Sequence, residues 1–225
     1  MPVYNEEKTI EKIVEKVQNV NLGKIKKELI VINDGSKDKT REIIQNLMKK
    51  YKNIRLLNQN TNQGKGAAIR AGLKNFDGDI LVIQDGDLEY NPEDFKRLIK
   101  PILDDKAKVV YGSRVLGKIK GFQIFHHYIG NLGLSLITSL LYLRRISDME
   151  TGYKMMTKDV IKNIGLKAKR FDFEPEITAK IIKKGYKIIE VPIIYNSRSF
   201  QEGKKITVKD GIIALYYLLK YRFFN

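Results

Sequence analysis

Short apolar runs that alternate with helix-like segments constrain the fold of this chain more than any other feature. Four runs are apolar at nearly every position and end in polar turns: residues 28–32, 54–57, 79–84 and 109–112. Segments with apolar residues at helical spacing lie among them: residues 9–20, 38–51, 67–73 and 92–103. Strands that are apolar on both faces are typical of parallel sheets covered by helices on each side. The sequence therefore predicts an α/β domain with a mostly parallel central sheet.

The N-terminus departs from this pattern. Residues 2–7 (Pro-Val-Tyr-Asn-Glu-Glu) read as a turn that enters a helix, and no apolar run stands before them. Because a strand is normally expected at this place, we predict that the first strand of the sheet is missing. A missing strand would expose the edges of its neighbours and lower stability. The same stretch has no apolar run after a basic start, which argues against a signal peptide.

The balance of charge is strongly basic. Lys and Arg total 42 against 26 Asp and Glu, a net charge of +16. Such an excess attracts nucleic acid, anionic lipid headgroups or phosphate-rich substrates. Nucleic acid is the least favoured of these partners, because no recognisable binding motif is present and the aromatic residues do not interleave with a basic stripe.

The absence of cysteine excludes disulfides and a thiolate zinc site, and it is natural in a reducing compartment.

Two acidic turns follow predicted strands. Asp85-Gly86-Asp87 comes after the third apolar run, and Asn33-Asp34-Gly35-Ser36 after the first. In parallel sheets, ligands bind outside the carboxyl ends of the strands. Paired carboxylates there can hold a hard divalent cation that keeps positions for substrate phosphates, and Asp34 can accept hydrogen bonds from a base or ribose hydroxyl. The plainer alternative is a pair of solvated turns that cap the following helices.

Gly64-Lys65-Gly66 stands at the start of a predicted helix. The first turn of a helix offers backbone N–H groups to a phosphate, so this segment could approach one. It lacks the spacing of a P-loop, and taken alone it is also compatible with an ordinary loop.

Two segments of the second half indicate contact with a membrane. Residues 121–143 contain no Lys, Arg, Asp or Glu, but their Gln, His, Asn, Ser and Thr side chains are costly in lipid and argue against a true span. Residues 206–224 mix apolar, aromatic and basic residues, which suits a membrane interface. A C-terminal helix that packs against the core explains the second segment equally well.

The ordered motifs resemble those of glycosyltransferase family 2. They are residues 2–7, Asn33-Asp34-Gly35-Ser36, residues 62–66 and Asp85-Gly86-Asp87. Three downstream motifs, at residues 112–114, 148–154 and 202–206, resemble the dolichyl-phosphate mannose synthase branch, which includes bacterial polyprenyl-phosphate glycosyltransferases. The resemblance covers nearly the whole chain. It implies a GT-A, Rossmann-like nucleotide-diphospho-sugar transferase domain over residues 1–205, with a membrane-interface and acceptor segment at 121–145. A C-terminal amphipathic helix would occupy residues 206–225.

The resemblance also implies roles on the donor side of the site. Pro2, Tyr4 and Glu6 match the first wall of the nucleotide pocket, and Asp34 matches the contact to base or ribose. Lys65 falls in the segment that could approach the donor phosphates.

Further matches concern the metal and the acceptor. Asp85 and Asp87 match the metal and diphosphate pair, and Glu89 stands where relatives often carry Gln as a further ligand to Mg²⁺ or Mn²⁺. Arg114 matches a binder of the acceptor phosphate, and Asp148 an acidic residue near the sugar. Glu176 is a second acidic candidate. The cations of a loop that closes over the diphosphate match three residues: Arg198, Lys204 and Lys205.

These matches imply an inverting hexosyltransferase. It would move mannose from GDP-mannose to dolichyl or polyprenyl phosphate, with Asp87, Asp148 and Arg198 as its catalytic residues. Because Asp85 and Asp148 flank the uncharged segment and would share one site, that segment cannot cross the membrane. We therefore expect a peripheral protein on the cytoplasmic face. The alternatives are a family 2 enzyme that uses UDP-glucose or another UDP-sugar with a lipid or polysaccharide acceptor, and a catalytically inactive nucleotide-binding protein.

Overall fold

Seven strands in two sheets form the middle of the computed structural model, which describes residues 1–121, 125–170, 172–197 and 208–224. The first sheet is parallel and has the order β1-β2-β3, from Pro2–Val3, Leu29–Asn33 and Ile54–Asn58. The second has the order β4-β6-β5-β7, from Ile80–Val82, Lys154–Thr157, Val109–Gly121 and Ile188–Ser197. The parallel register of β1 to β3 brings the acidic turn after β2 to the same edge as residues 2–7.

Eight helices of the described residues cover the sheets: α1 Ile10–Asn19, α2 Thr40–Lys50, α3 Lys65–Lys74, α4 Phe95–Leu103, α5 Phe125–Tyr142, α6 Lys158–Asn163, α7 Phe173–Lys183 and α8 Val208–Phe223. The first helix shows why they form. Its apolar positions recur every three to four residues, so Ile10, Ile13, Val14 and Val17 share one buried face. Each predicted helix of the first half is present, and α4 is preceded by a 3-10 turn at Pro92–Asp94.

The structure corrects the expectation that the first strand is missing. Pro2 and Val3 form a short strand that pairs with Ile32 and Asn33 of β2. The amide of Asp34 donates to the carbonyl of Val3, and the Met1 ammonium donates to the carbonyl of Ile30. These backbone bonds fix residues that sequence alone assigned to a turn. Burial lowers the pKa of the Met1 ammonium to about 5, despite the opposing influence of Asp85.

The second sheet contains two strands that sequence reasoning did not identify, β6 and β7. β6 runs antiparallel to both β4 and β5, whereas β5 and β7 run parallel. The prediction of a mostly parallel sheet therefore holds for β1 to β3 and for the β5–β7 pair. The insertion of β6 brings the loop before it, residues 148–152, against the end of β4.

A cavity of about 790 Å³ lies where Met1 meets β2 and β4. Its lining is mainly apolar and includes Ile30, Ile32, Val82 and Phe95. β1 is short and pairs with only two residues of β2, so it borders only one end of the cavity. The cavity therefore separates the two sheets along most of the length of β2.

Helices α5 and α8 pack together and present apolar side chains outward. The hydroxyl of Tyr142 donates to the carbonyl of Leu218 at 2.8 Å, and both residues are buried. The exposed apolar side chains of the pair form what we call the apolar face: Ile129, Leu136, Leu140, Leu143, Ile212, Ile213, Tyr216, Leu219 and Phe223. Among the helices that the structure describes, none has the length and apolar character needed to span a membrane.

Candidate active site

The loop after β4 carries the predicted carboxylate pair. Asp85 lies against Gly152, where an added Cβ would stand 2.5 Å from Asp85 Oδ2, so only glycine leaves room for this carboxylate. Asp87 is 8% exposed, and its Oδ1 accepts the backbone N–H of Glu89 at 3.0 Å. The two side chains thus lie where the sequence placed them, directly beyond a strand end.

The carboxylates of this loop are the residues predicted to bind a metal ion. Asp85, Asp87 and Glu89 do not form a cluster of three, and within the described residues no group of three His, Cys, Asp or Glu side chains could hold a metal ion. The assignment of Asp85, Asp87 and Glu89 as metal ligands therefore stays a prediction. Two carboxylates still fit a Mg²⁺-type ion, because such ions are held by one or two carboxylates together with substrate phosphates and water. Asp85 and Asp87 are the residues that would hold it.

Residues 2–9 lie next to this loop. The hydroxyl of Thr9 donates to the carbonyl of Gly86 at 3.0 Å and to the carboxylate of Glu6 at 2.6 Å. A Cβ at Gly86 would collide with Val3 of β1. Pro2, Tyr4 and Glu6 are all partly buried in this stretch. The structure therefore brings the predicted nucleotide wall against the carboxylate pair.

Asp34 is buried and organises the loop before α3. Its Oδ1 and Oδ2 accept the backbone N–H groups of Gln63 and Gly64, each at 2.8 Å. Gly64 has φ +98° and lies so close to Lys169 that a side chain would clash with its carbonyl. Asp34 thus fixes the start of α3, and its contact to a base or ribose remains a prediction.

Lys65, the first residue of α3, forms the centre of a buried charge cluster. Its Nζ lies 3.0 Å from Asp85 Oδ1 and 2.9 Å from Glu174 Oε1. Burial opposes the charged amine, but the charges of Asp85 and Glu174 outweigh it and hold the pKa of Lys65 well above its usual value. Lys65 therefore stays a cation at the carboxylate pair, where a donor diphosphate would bring further negative charge.

Arg114 and Asp148 form a buried bidentate pair. Arg114 Nε donates to Asp148 Oδ2 at 2.8 Å and Nη2 to Oδ1 at 2.7 Å, while the guanidinium lies over the Tyr195 ring. Asp148 is fully buried; burial favours its neutral form, yet Arg114 outweighs burial and lowers the pKa of Asp148. Arg114 has five side-chain donors and Asp148 takes two, so it keeps donor capacity for a phosphate.

Two further residues position this pair. The carboxylate of Glu190 in β7 accepts the backbone N–H groups of Ser147 and Asp148, both within 3.0 Å. Asn131 in α5 donates its side-chain amide to Asp148 Oδ1 at 3.1 Å. The helix with the apolar face therefore contacts the Arg114–Asp148 pair directly.

Sequence reasoning missed three charged residues of the site: Glu150, Lys154 and Glu174. Glu150 and Lys154 belong to the quoted motif at residues 148–154, which was the available signal, whereas nothing in the sequence indicated Glu174. Glu176, proposed as an acidic candidate, instead accepts the N–H groups of Lys167 and Ala168 and so holds the loop before α7. Arg198, Lys204 and Lys205 lie outside the described residues.

Burial shifts the pKa values of Glu150 and Lys154, two of the residues that sequence reasoning missed. Burial and then the charge of Glu174 raise the pKa of Glu150 to about 8. Burial lowers the pKa of Lys154 to about 8, against the influence of Glu174 and Glu150. Lys154 Nζ donates to the carbonyls of Met149 and Thr151, on either side of Glu150.

The chain is similar to known proteins over most of its length. The family model "Glycosyl transferase family 2" matches residues 1–165. A dolichyl-phosphate beta-glucosyltransferase of Trichomonas vaginalis is 31% identical over 237 residues, covering 100% of this chain and 72% of the relative. A UDP-N-acetylglucosamine–dolichyl-phosphate N-acetylglucosaminyltransferase of Methanococcus voltae is 33% identical, covering 97% and 93%. A dolichol-phosphate mannosyltransferase of Pyrococcus furiosus is 28% identical, covering 98% and 63%.

Solved structures share the fold. Glucosyl-3-phosphoglycerate synthase from Mycobacterium tuberculosis, crystallised with Mn²⁺, UDP and its product, superposes with a TM-score of 0.75 at 19% identity and covers 100% of this chain and 78% of that one. The same enzyme has been crystallised with Mg²⁺ and UDP, with a TM-score of 0.73. The likeness confirms the predicted α/β, GT-A-like fold.

Proposed function

The chain belongs to glycosyltransferase family 2, and from that premise we propose that it transfers a hexose from a nucleotide sugar to the phosphate of a polyprenyl phosphate such as dolichyl phosphate. The observation that carries the proposal is the arrangement of one carboxylate pair and one arginine around a single loop. Asp85 touches Gly152 at one end of the loop, residues 148–152, and Arg114 binds Asp148 at the other. The loop thus separates a place for a diphosphate from a place for an acceptor phosphate.

The acceptor assignment is supported by what the relatives share. Their names differ in the sugar, which is glucose, N-acetylglucosamine or mannose, and agree in dolichyl or dolichol phosphate. Mannose from GDP-mannose was the first expectation from sequence. Because relatives above 30% identity include ones named for glucose and for N-acetylglucosamine, we propose a nucleotide-linked hexose as the donor class and retain UDP-sugars beside GDP-mannose.

The reaction needs positioning and charge neutralisation more than proton transfer. An oxygen of the acceptor phosphate, already anionic near neutral pH, attacks the anomeric carbon; the bond from that carbon to the diphosphate oxygen breaks; and the nucleoside diphosphate leaves with inversion. Arg114 would hold the attacking phosphate, with Asp148 fixing the orientation of its guanidinium. Lys65 places a fixed cation beside the departing diphosphate. A divalent cation held by Asp85 and Asp87 would neutralise the charge that develops on that leaving group.

The apolar face is suited to contact the membrane in which a prenyl-phosphate acceptor would lie. Exposed Arg144, Arg145, Lys220 and Arg222 flank it, and basic residues beside apolar ones favour anionic lipid headgroups. We propose that α5 and α8 rest on the membrane surface. Asn131 of α5 would then keep Arg114 and Asp148 close to lipid-borne phosphate.

A panel of donors tests the proposed reaction. Purified protein with Mn²⁺ and a prenyl phosphate would be given GDP-mannose, UDP-glucose and UDP-N-acetylglucosamine in parallel, and release of the nucleoside diphosphate would be measured. We expect release that depends on prenyl phosphate with one of the three donors. The same rate with and without prenyl phosphate, for every donor, would refute the acceptor assignment.

Introducing charge on the apolar face is expected to weaken membrane binding. Leu136→Glu with Leu140→Glu removes two exposed leucines that would enter the interface, where each buried leucine contributes about 1.5–3 kcal/mol. Sedimentation with anionic vesicles should show affinity at least about tenfold lower, with a matching loss of transfer to long-chain acceptors. Leu103→Glu changes an exposed leucine of α4 and serves as the matched control. Equal binding of wild type, the double variant and Leu103→Glu to the vesicles would show that the apolar face does not bind the membrane.

A further inference from the structure

Glu150 and Glu174 have polar atoms that the structure leaves unsatisfied. Within the described residues, Glu150 Oε1 and Glu174 Oε2 are buried and have no hydrogen-bond partner. An unsatisfied buried polar group costs about 1–3 kcal/mol, and more when charged. Native proteins keep such groups chiefly where a ligand, ion or water completes them. These two oxygens therefore indicate that something binds beside them.

Glu150 and Glu174 lie close to residues of the proposed diphosphate site and of the proposed acceptor-phosphate site. Glu174 is 4% exposed, and its other oxygen accepts Lys65, which bridges to Asp85. Glu150 lies in the loop whose Gly152 touches Asp85 and whose Asp148 binds Arg114. Glu150 thus stands between the diphosphate place and the acceptor place.

The loop holds Glu150 rigidly. The buried ammonium of Lys154 donates to the carbonyls immediately before and after Glu150, and the hydroxyl of Tyr90 accepts the N–H of Gly152 at 2.7 Å. Glu150 as a residue is partly exposed, although its Oε1 is buried. A fixed carboxyl group with an unused oxygen is suited to recognise a hydroxyl at a defined position.

We propose that Glu150, supported by Glu174, forms the subsite for the donor sugar and accepts hydrogen bonds from its hydroxyl groups. The inference rests on the proposed function, because in that reaction the sugar must occupy the space between the leaving diphosphate and the attacking phosphate. Lys65 joins Glu174 to Asp85, so the sugar subsite and the diphosphate subsite share one buried cation. Glu150 is then a specificity-determining residue for the hexose.

The subsite has a direct consequence for specificity. A site built to bind a substrate hydroxyl rejects the analogue that lacks it, because the buried polar group of the site is left unpaired. One particular deoxy-hexose donor should therefore be used poorly, whereas removal of hydroxyls that point elsewhere should matter less. Replacing Glu150 should abolish that difference.

The first experiment measures binding and does not require turnover. Calorimetry on the full chain would compare UDP with UDP-glucose and GDP with GDP-mannose, for wild type, Glu150→Ala and Glu150→Gln. We expect Glu150→Ala to weaken binding of the nucleotide sugar by up to about tenfold relative to its own nucleoside diphosphate, which is the change expected from one lost hydrogen bond. Glu93→Ala, an exposed glutamate next to α4, is the control. An unchanged ratio in both Glu150 variants would overturn the proposal and leave a bound water as the partner of Glu150.

The second experiment separates this inference from the proposed function. Transfer to prenyl phosphate would be measured with donors that each lack one hydroxyl. Wild type should lose at least about tenfold in kcat/KM for one of them, and Glu150→Ala, which removes the acceptor, should flatten that profile. Identical profiles for wild type and variant contradict the sugar subsite alone. Failure of wild type to transfer any hexose contradicts the proposed function itself.

Discussion

Replacing Asp87 by alanine is expected to lower sugar transfer by at least about 10³-fold, equivalent to about 4 kcal/mol of transition-state stabilisation. Asp87 is nearly buried at the end of β4 and is half of the only proposed pair of protein ligands for the cation. Removing it leaves the leaving diphosphate without its main neutralising charge. The measurement is release of nucleoside diphosphate at saturating donor across a Mn²⁺ titration.

Asp77→Ala provides the control for this variant, since the side chain of Asp77 is 83% exposed. Both variants should melt within a few degrees of wild type, which separates a catalytic loss from unfolding. If Asp87→Ala keeps both the wild-type rate and the wild-type dependence on Mn²⁺, the assignment of Asp87 as a metal ligand is contradicted.

The Arg114–Asp148 pair is predicted to have the second large effect, on stability as well as activity. Arg114→Ala leaves the carboxylate of Asp148 fully buried and without its bidentate partner. Loss of one member of a buried ion pair typically costs about 3–5 kcal/mol. For a protein of this size, Tm should fall by about 10 °C in a thermal melt. Transfer to prenyl phosphate should also be lost.

A double variant separates the two effects. Arg114→Met combined with Asp148→Asn removes both charges, and replacing a whole buried pair is often close to neutral for stability. We expect the double variant to recover most of the Tm lost by Arg114→Ala while transfer remains undetectable. Recovery of transfer along with Tm would mean that the pair has only a structural role.

Sequence alone was enough for the first half of the fold, apart from β1, and for the acidic turns at its strand ends. The apolar runs that became β2 and the start of β5 are buried on both faces, and this leaves a clear pattern. The Asp-Gly-Asp turn follows from the same logic, because strand ends of parallel sheets are where ligands bind. These predictions depend on local pattern, which a single sequence displays.

The remaining features depend on contacts between distant segments. β6 has only four residues, and its antiparallel place between β4 and β5 is set by the packing of residues far apart in sequence. The role of Glu174 arises because α7 brings it to Lys65, more than a hundred residues earlier. Asp34, predicted to face a ligand, is seen to bind the loop before α3, since backbone N–H groups approach it only in the folded chain.

The most direct measurement of the central claim is the partition of a labelled hexose between water and organic solvent. Purified protein would be incubated with Mn²⁺, the labelled donor that shows turnover, and either a prenyl phosphate or the matching prenol. The account predicts label in the organic phase with the phosphate and none with the prenol, because Arg114 would bind the phosphate, whereas a prenol is not an anion that it could hold. Equal transfer to the prenol, or transfer only into water-soluble carbohydrate, would contradict it.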